Sequence, residues 1–221
     1  MDDLFGTIRE GDQATLERIL AADPGAALSV DADGVSALLT AVYHGNAPAI
    51  AALRATGVEL DVFEAAALGD LGRVRALVDA DPSLARAFAP DGFHPRGLAA
   101  FFHHGDVVRF LIAAGADVRA PSQNGLTVTA LHSAVADGGD RVSALALIAA
   151  GADVHATQRH GWTPLHGAAL SGDRVVVEAL LAAGADPAAT HDSGKRAADT
   201  AREAGHADLA QLLEGAPTRS G

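Results

Sequence analysis

The sequence predicts an all-α solenoid of about seven helix-turn-helix units. The first observation is a series of turn residues: Gly11, Gly45, Gly69, His103, Gly139, Gly172 and Gly205. They are separated by 34, 24, 34, 36, 33 and 33 positions. The second is a landmark in step with them. Gly57, Gly115, Gly151 and Gly184 each lie 12 residues past their anchor, and the last three open the same Gly-Ala-Asp tripeptide. The third is apolar spacing after the anchors, as in Leu16/Ile19/Leu20, Val74/Leu77/Val78, Val108/Leu111/Ile112 and Val177/Leu180/Leu181. That spacing marks one face of a helix.

The units run roughly over 1–30, 31–60, 61–90, 91–120, 121–156, 157–190 and 191–214. They form one elongated domain, 1–214, with a tail over 215–221 that lacks apolar periodicity and is expected to fray. In the first and third units Asp23-Pro24 and Asp81-Pro82 replace the glycine landmark. The third also mimics the first: Phe63 to Asp70 parallels Phe5 to Asp12, as if the chain started again at residue 61. The 24-residue step before Gly69 removes most of the projecting turn between units two and three. The 36-residue step before Gly139 admits a small insertion. In the sixth unit Pro164 suits the first helical turn, where its missing N–H is no loss. The closing glycines suit left-handed caps. Leu209, Leu212 and Leu213 end the last helix and cover the sixth unit. A single unit cannot bury its apolar face, so stability comes from stacking.

The run Gly161-Trp162-Thr163-Pro164-Leu165-His166-Gly167-Ala168-Ala169 resembles the ankyrin repeat signature, whose period is about 33 residues. From Leu60 onward the chain is similar to stand-alone bacterial ankyrin repeat proteins. The resemblance implies a protein-binding module and not an enzyme. It implies that partners touch the turn tips and the two residues before each anchor, on the concave face. Those pairs are Arg9/Glu10, Tyr43/His44, Ala67/Leu68, Phe101/Phe102, Ala136/Asp137, Leu170/Ser171 and Glu203/Ala204. The tips add Phe93, the stretch from Gln158 to Trp162, and His191 to Lys195.

Five of the nine aromatic residues, Tyr43, Phe93, Phe101, Phe102 and Trp162, fall at these positions. Aromatic residues are enriched at binding hot spots. With His44 and Leu170 they make the expected partner-binding set. For Trp162 and Phe93 the competing reading is cover for the adjacent turn. Phe101 and Phe102 point about 100° apart on a helix, so one flank does not readily hide both.

The fourth unit departs most from the pattern. His94 stands where Thr is usual, Arg96 where Leu is usual, and His103 where Gly is usual. Either His103 takes the left-handed position or the helix slips and Gly105 does. An Arg in a core slot needs a partner or a path to solvent. Drift and reshaping around a ligand both remain open.

Composition narrows the function. The 28 acids against 16 bases give a formal charge of −12, which disfavours nucleic acid and anionic lipid. No run of about 18 apolar residues suggests a membrane span, and Met1-Asp2-Asp3-Leu4 does not read as a signal peptide. The chain has no cysteine, and Lys195 is its only lysine. A bacterial cytoplasmic setting fits both. No nucleophile elbow, phosphate loop or dinucleotide fingerprint is present. No cofactor is expected. The ten histidines, three of them His94, His103 and His104 in one unit, form no zinc-type motif. Asp117, Asp153 and Asp186 should align along one edge, as a solvated rim or a site for a basic partner. The expected function is recognition of another protein. A metal protein or enzyme using the histidines of the fourth unit, or a self-associating stack, are the alternatives.

Overall fold

The computed structural model describes residues 3–136 and 138–217. Met1, Asp2, Asp137 of the expected concave pair, and residues 218–221 of the expected tail lie outside them. Among the described residues the chain forms fourteen α-helices and three 3-10 turns and no strand. The helices fall into seven consecutive pairs. These are α1 (Leu4–Glu10) with α2 (Gln13–Ala22), α3 (Ala37–Tyr43) with α4 (Ala47–Ala55), and α5 (Val62–Ala67) with α6 (Leu71–Ala80). Then follow α7 (Pro95–Phe101) with α8 (Gly105–Ala113), α9 (Ala130–Val135) with α10 (Arg141–Ala149), α11 (Pro164–Ser171) with α12 (Arg174–Ala182), and α13 (Ala197–Glu203) with α14 (Ala207–Glu214).

The break inside each pair has one physical cause. All seven anchors have positive φ, from 60° at Gly45 to 86° at Gly205, and His103 joins them at 64°. Gly105 instead begins α8, so no slip occurs. A Cβ there would stand 2.6 Å from Cγ1 of Val142, and the missing side chain lets α10 approach. After the turn a short polar side chain caps the second helix in five of the seven pairs, all but α8 and α14. Asp12, Asn46, Asp70 and Asp140 accept from Thr15, Ala49, Arg73 and Val142 N–H at 3.0–3.1 Å. This satisfies donors that a helix start leaves unpaired.

The main core runs as a continuous stripe along the pairs. Ile8, Leu16, Leu38, Leu53, Val74, Leu111, Leu131, Leu147, Leu165 and Leu180 are almost fully buried. Alanines at 41, 65, 66, 99, 100, 134, 168 and 201 lie buried with them in the first helices. Small side chains there let successive pairs approach closely.

The first and third pairs share one construction. Asp3 and Asp61 cap their helices through Phe5 and Phe63 N–H. Both pairs end in a 3-10 turn after Asp-Pro, over Pro24–Leu28 and Pro82–Arg86. Between α4 and α5 no projecting turn exists, because only residues 56–61 join them.

Candidate functional site

Imidazoles hold the turns at a fixed height. In the fifth and sixth pairs a Thr caps the first helix, and the His three residues later closes a capping box. Thr129 and Thr163 Oγ1 lie 2.8 Å from Nδ1 of His132 and His166. Because Nδ1 accepts, Nε2 carries the proton. It donates to the carbonyls of Trp162 and Lys195 on the next turn, at 3.2 Å in each case. Burial pushes His132 down to about 4 and also lowers His166, so both are neutral at pH 7.

The fourth pair reaches the same end from a different residue. His94 is itself the cap, and Gly97 N–H donates to its Nδ1 at 2.8 Å. Its Nε2 then donates to Ala120 O at 3.1 Å. Arg96, 1% exposed, donates from Nη2 to the same carbonyl at 2.9 Å, and its buried Nε has no protein partner. The two donors occupy the two lone pairs of one oxygen. Burial, and then the neighbouring Arg96 charge, hold His94 down at about 4. Burial lowers Arg96 to about 10, still charged at pH 7, with Asp117 opposing the shift.

The other histidines of this pair point elsewhere. His104 Nε2 lies 3.1 Å from Ala67 O, and His103 is exposed. Among the described residues no group of three or more His, Cys, Asp or Glu is arranged to hold a metal ion. The Asp117, Asp153 and Asp186 carboxylates each accept a backbone N–H two residues on, at 2.9–3.0 Å. They brace their own loops.

The turns are bonded to one another. Gln123 N donates to Gly92 O at 2.8 Å, Arg159 N to Leu126 O at 3.0 Å, and Asp192 N to His160 O at 2.9 Å. Where the projecting turn is missing, its flanking turns meet directly. Gly34 sits so close to Pro90 that a Cβ would stand 2.9 Å from Pro90 Cβ. Tyr43 crosses the gap. Its hydroxyl donates to Asp91 Oδ2 at 2.5 Å, and its ring stacks on Phe102 at 6.2 Å. Burial, then Asp91, push the Tyr43 hydroxyl well above its ordinary pKa. Below it Val35, Leu39, Val42, Ala67 and Leu98 form a second apolar cluster, with Phe93 and Phe102 packed on it. Glu64 helps close the same gap. It caps its own helix through Asp61 N–H at 3.0 Å and takes the Ser36 hydroxyl at 2.6 Å. Burial raises its pKa.

These contacts shape a groove between the first helices and the turns. A cavity of about 390 Å³ is walled by Tyr43, Phe93, Phe101 and Phe102 on one side and by Leu126, Val128 and Gln158 on the other. A neighbouring cavity shares His132, Ala136 and Gln158 with it and carries the groove to Trp162 and Leu170. Six of the seven expected partner-binding residues therefore line one continuous surface. They differ in burial. Phe101 is 40% and Leu170 52% exposed, whereas Phe102 is half-buried against the second cluster. Phe101 and Phe102 touch edge to face at 5.1 Å, so they are not an equivalent surface pair. Trp162 lines the groove and also covers the next turn, stacking on His191 at 4.9 Å. His44 stands apart: its Nδ1 is bound to Thr40 O at 2.9 Å, and it lines neither cavity.

Leu126 and Val128 were not expected here. The available signal was apolar character inside an enlarged turn. Thr127 between them has φ 54°, which presents both neighbours to the groove wall.

No curated protein matches the chain. The family model of ankyrin repeats (3 copies) matches residues 131–217, from within α9 to just beyond α14.

Proposed function

We propose that the chain is an ankyrin repeat protein, from the family match over residues 131–217, and that it acts as a protein-binding module that holds its partner in the groove. The four helix pairs before that match, with the same left-handed anchors, are read as further, more diverged repeats, seven in all. The observation that carries the function is the apolar cavity flanked by exposed Phe101 and continued to exposed Leu170. Exposed apolar surface on a rigid scaffold has a cost unless something covers it. A groove already fixed by the turn hydrogen bonds binds with little ordering of its own.

Among the described residues no helix is long and apolar enough to cross a membrane. The absence of cysteine and the single lysine support a bacterial cytoplasmic setting. The catalytic and metal alternatives gain no support: of the histidines in the fourth unit, His94 and His104 are directed at separate backbone carbonyls.

A photocrosslinking residue placed at 101 or 170, with 175 as a control, tests the reading in the host cell. Val175 is 44% exposed on the second helix of the sixth repeat, α12. A discrete protein adduct is expected from 101 and 170 and not from 175. Equal labelling at all three positions would reject the groove as the binding face.

A further inference from the structure

The inference rests on the protein-binding reading and concerns the chemistry of the partner. Charge is not spread evenly around the groove. On the early turns Asp31 and Asp91 are used internally, while Asp33 stays exposed. Asp31 accepts Asp33 and Val35 N–H and faces Arg9 at 3.4 Å, and Asp91 takes the Tyr43 hydroxyl. The apolar cavity ends at Gln158, and the next residue on that turn is Arg159. Arg159 is exposed and lines the adjoining cavity. Among the described residues its backbone N–H bonds Leu126 O, while its guanidinium makes no ion pair or hydrogen bond. His160 follows on the same turn. Farther along, Lys195 lines the next cavity with Trp162 and Leu170. Lys195 is partly neutralised by Glu203 at 2.8 Å, and His160 faces Asp192 at 3.3 Å. A chain of net charge −12 thus keeps an unpaired cation at the mouth of its apolar groove.

We propose that the groove receives an extended protein segment that seats bulky apolar side chains beside Phe101 and lays carboxylates against Arg159. An extended segment presents successive side chains to opposite sides about every 3.3 Å. It can therefore fill the apolar wall and reach the turn at once. The apolar part supplies most of the affinity. The charge contact sets direction and register, as complementary charge generally does at interfaces. Nucleic acid would need a row of clustered cations, and one arginine with two half-neutralised neighbours does not supply it.

The test is selection of a displayed library of random dodecapeptides on the purified protein. Peptides combining bulky apolar residues with Asp or Glu are expected. A synthetic peptide of the selected consensus should bind Phe101→Glu about tenfold more weakly, equivalent to about 1.4 kcal/mol. It should bind Arg159→Glu several-fold more weakly. Replacing its acids by Lys should reverse the preference, so that Arg159→Glu then binds better than the native protein. Both positions are exposed, and circular dichroism melts check that each variant keeps its fold. Selected peptides that bind through Phe101 but are neutral or basic, and indifferent to Arg159→Glu, would overturn the acidic partner and leave groove binding intact. No enriched peptide, or binding indifferent to Phe101→Glu, would overturn both.

Discussion

Gly97 lies directly against the imidazole of His94: a Cβ on residue 97 would stand 2.4 Å from His94 Cε1 and 2.5 Å from Nδ1. The fourth helix pair carries its imidazole at the cap instead of at the third helical position, and the position left empty must carry no side chain. Ala in a helix is normally better than Gly by about 1 kcal/mol. Here Gly97→Ala should instead destabilise by about 1–3 kcal/mol, the cost of overpacking a buried site. The double change His94→Thr with Gly97→His rebuilds the arrangement at Thr129/His132 and Thr163/His166. It should recover most of that loss in urea melts. A double variant no more stable than Gly97→Ala would mean that the two arrangements are not equivalent.

His103 offers a change of opposite sign. Its φ of 64° costs a non-glycine residue about 1 kcal/mol, and its side chain is exposed. His103→Gly should raise stability by about 0.5–1 kcal/mol, after allowing for the freer unfolded chain. A lower melting temperature for this variant would show that the imidazole makes a contact that outweighs the backbone.

The two adjacent phenylalanines should separate cleanly in the same assay. Phe101→Ala removes an exposed ring and should cost under about 1 kcal/mol. Phe102→Ala takes away the ring on which Tyr43 stacks and part of the cover over Leu98 and Val35. It should cost about 2–3 kcal/mol, less than full burial would give. Equal losses would contradict the difference in burial.

Acid should loosen the stack through its buried histidines before most carboxylates titrate. In the unfolded chain His94 and His132 bind a proton near pH 6.5; folded, they resist it until about pH 4. Between those values the unfolded state holds more protons. Stability is therefore full above about 6.5 and is lost as pH falls toward 4. The shift is worth on the order of 3 kcal/mol for each histidine. Urea midpoints measured from pH 7.5 to 4.5 should fall steadily, and His132→Gln should flatten the slope. A midpoint independent of pH across that range would exclude neutral buried histidines.

Much of this fold was legible because left-handed turns demand glycine, and glycines can be counted. The series narrowed the fourth turn to His103 or Gly105, and the structure gives it to His103. The shortened link between Gly45 and Gly69 was equally visible as a missing turn. What it does was not. Its effect is to bring Tyr43 onto Asp91 and Phe102, a contact across 48 residues that local spacing does not reveal. His94 read as a lost threonine, because the compensating glycine at 97 makes sense only once the ring is seen lying over it. Leu126 and Val128 were hidden because apolar residues in a turn carry no periodicity, and the left-handed Thr127 that aims them has no distinctive sequence.

The missing turn also changes how the chain should come apart. In a regular stack each repeat is held by its immediate neighbours alone, so ends peel away one unit at a time. Here the second helix pair grips the fourth through Tyr43, Asp91, Phe102 and the apolar cluster beneath them. The third cannot be freed while that clasp holds, nor can the second be released without uncovering the fourth. The three helix pairs should therefore open as one cooperative block. Hydrogen exchange along the chain should reflect this as a plateau of common protection, bounded by graded protection toward each end.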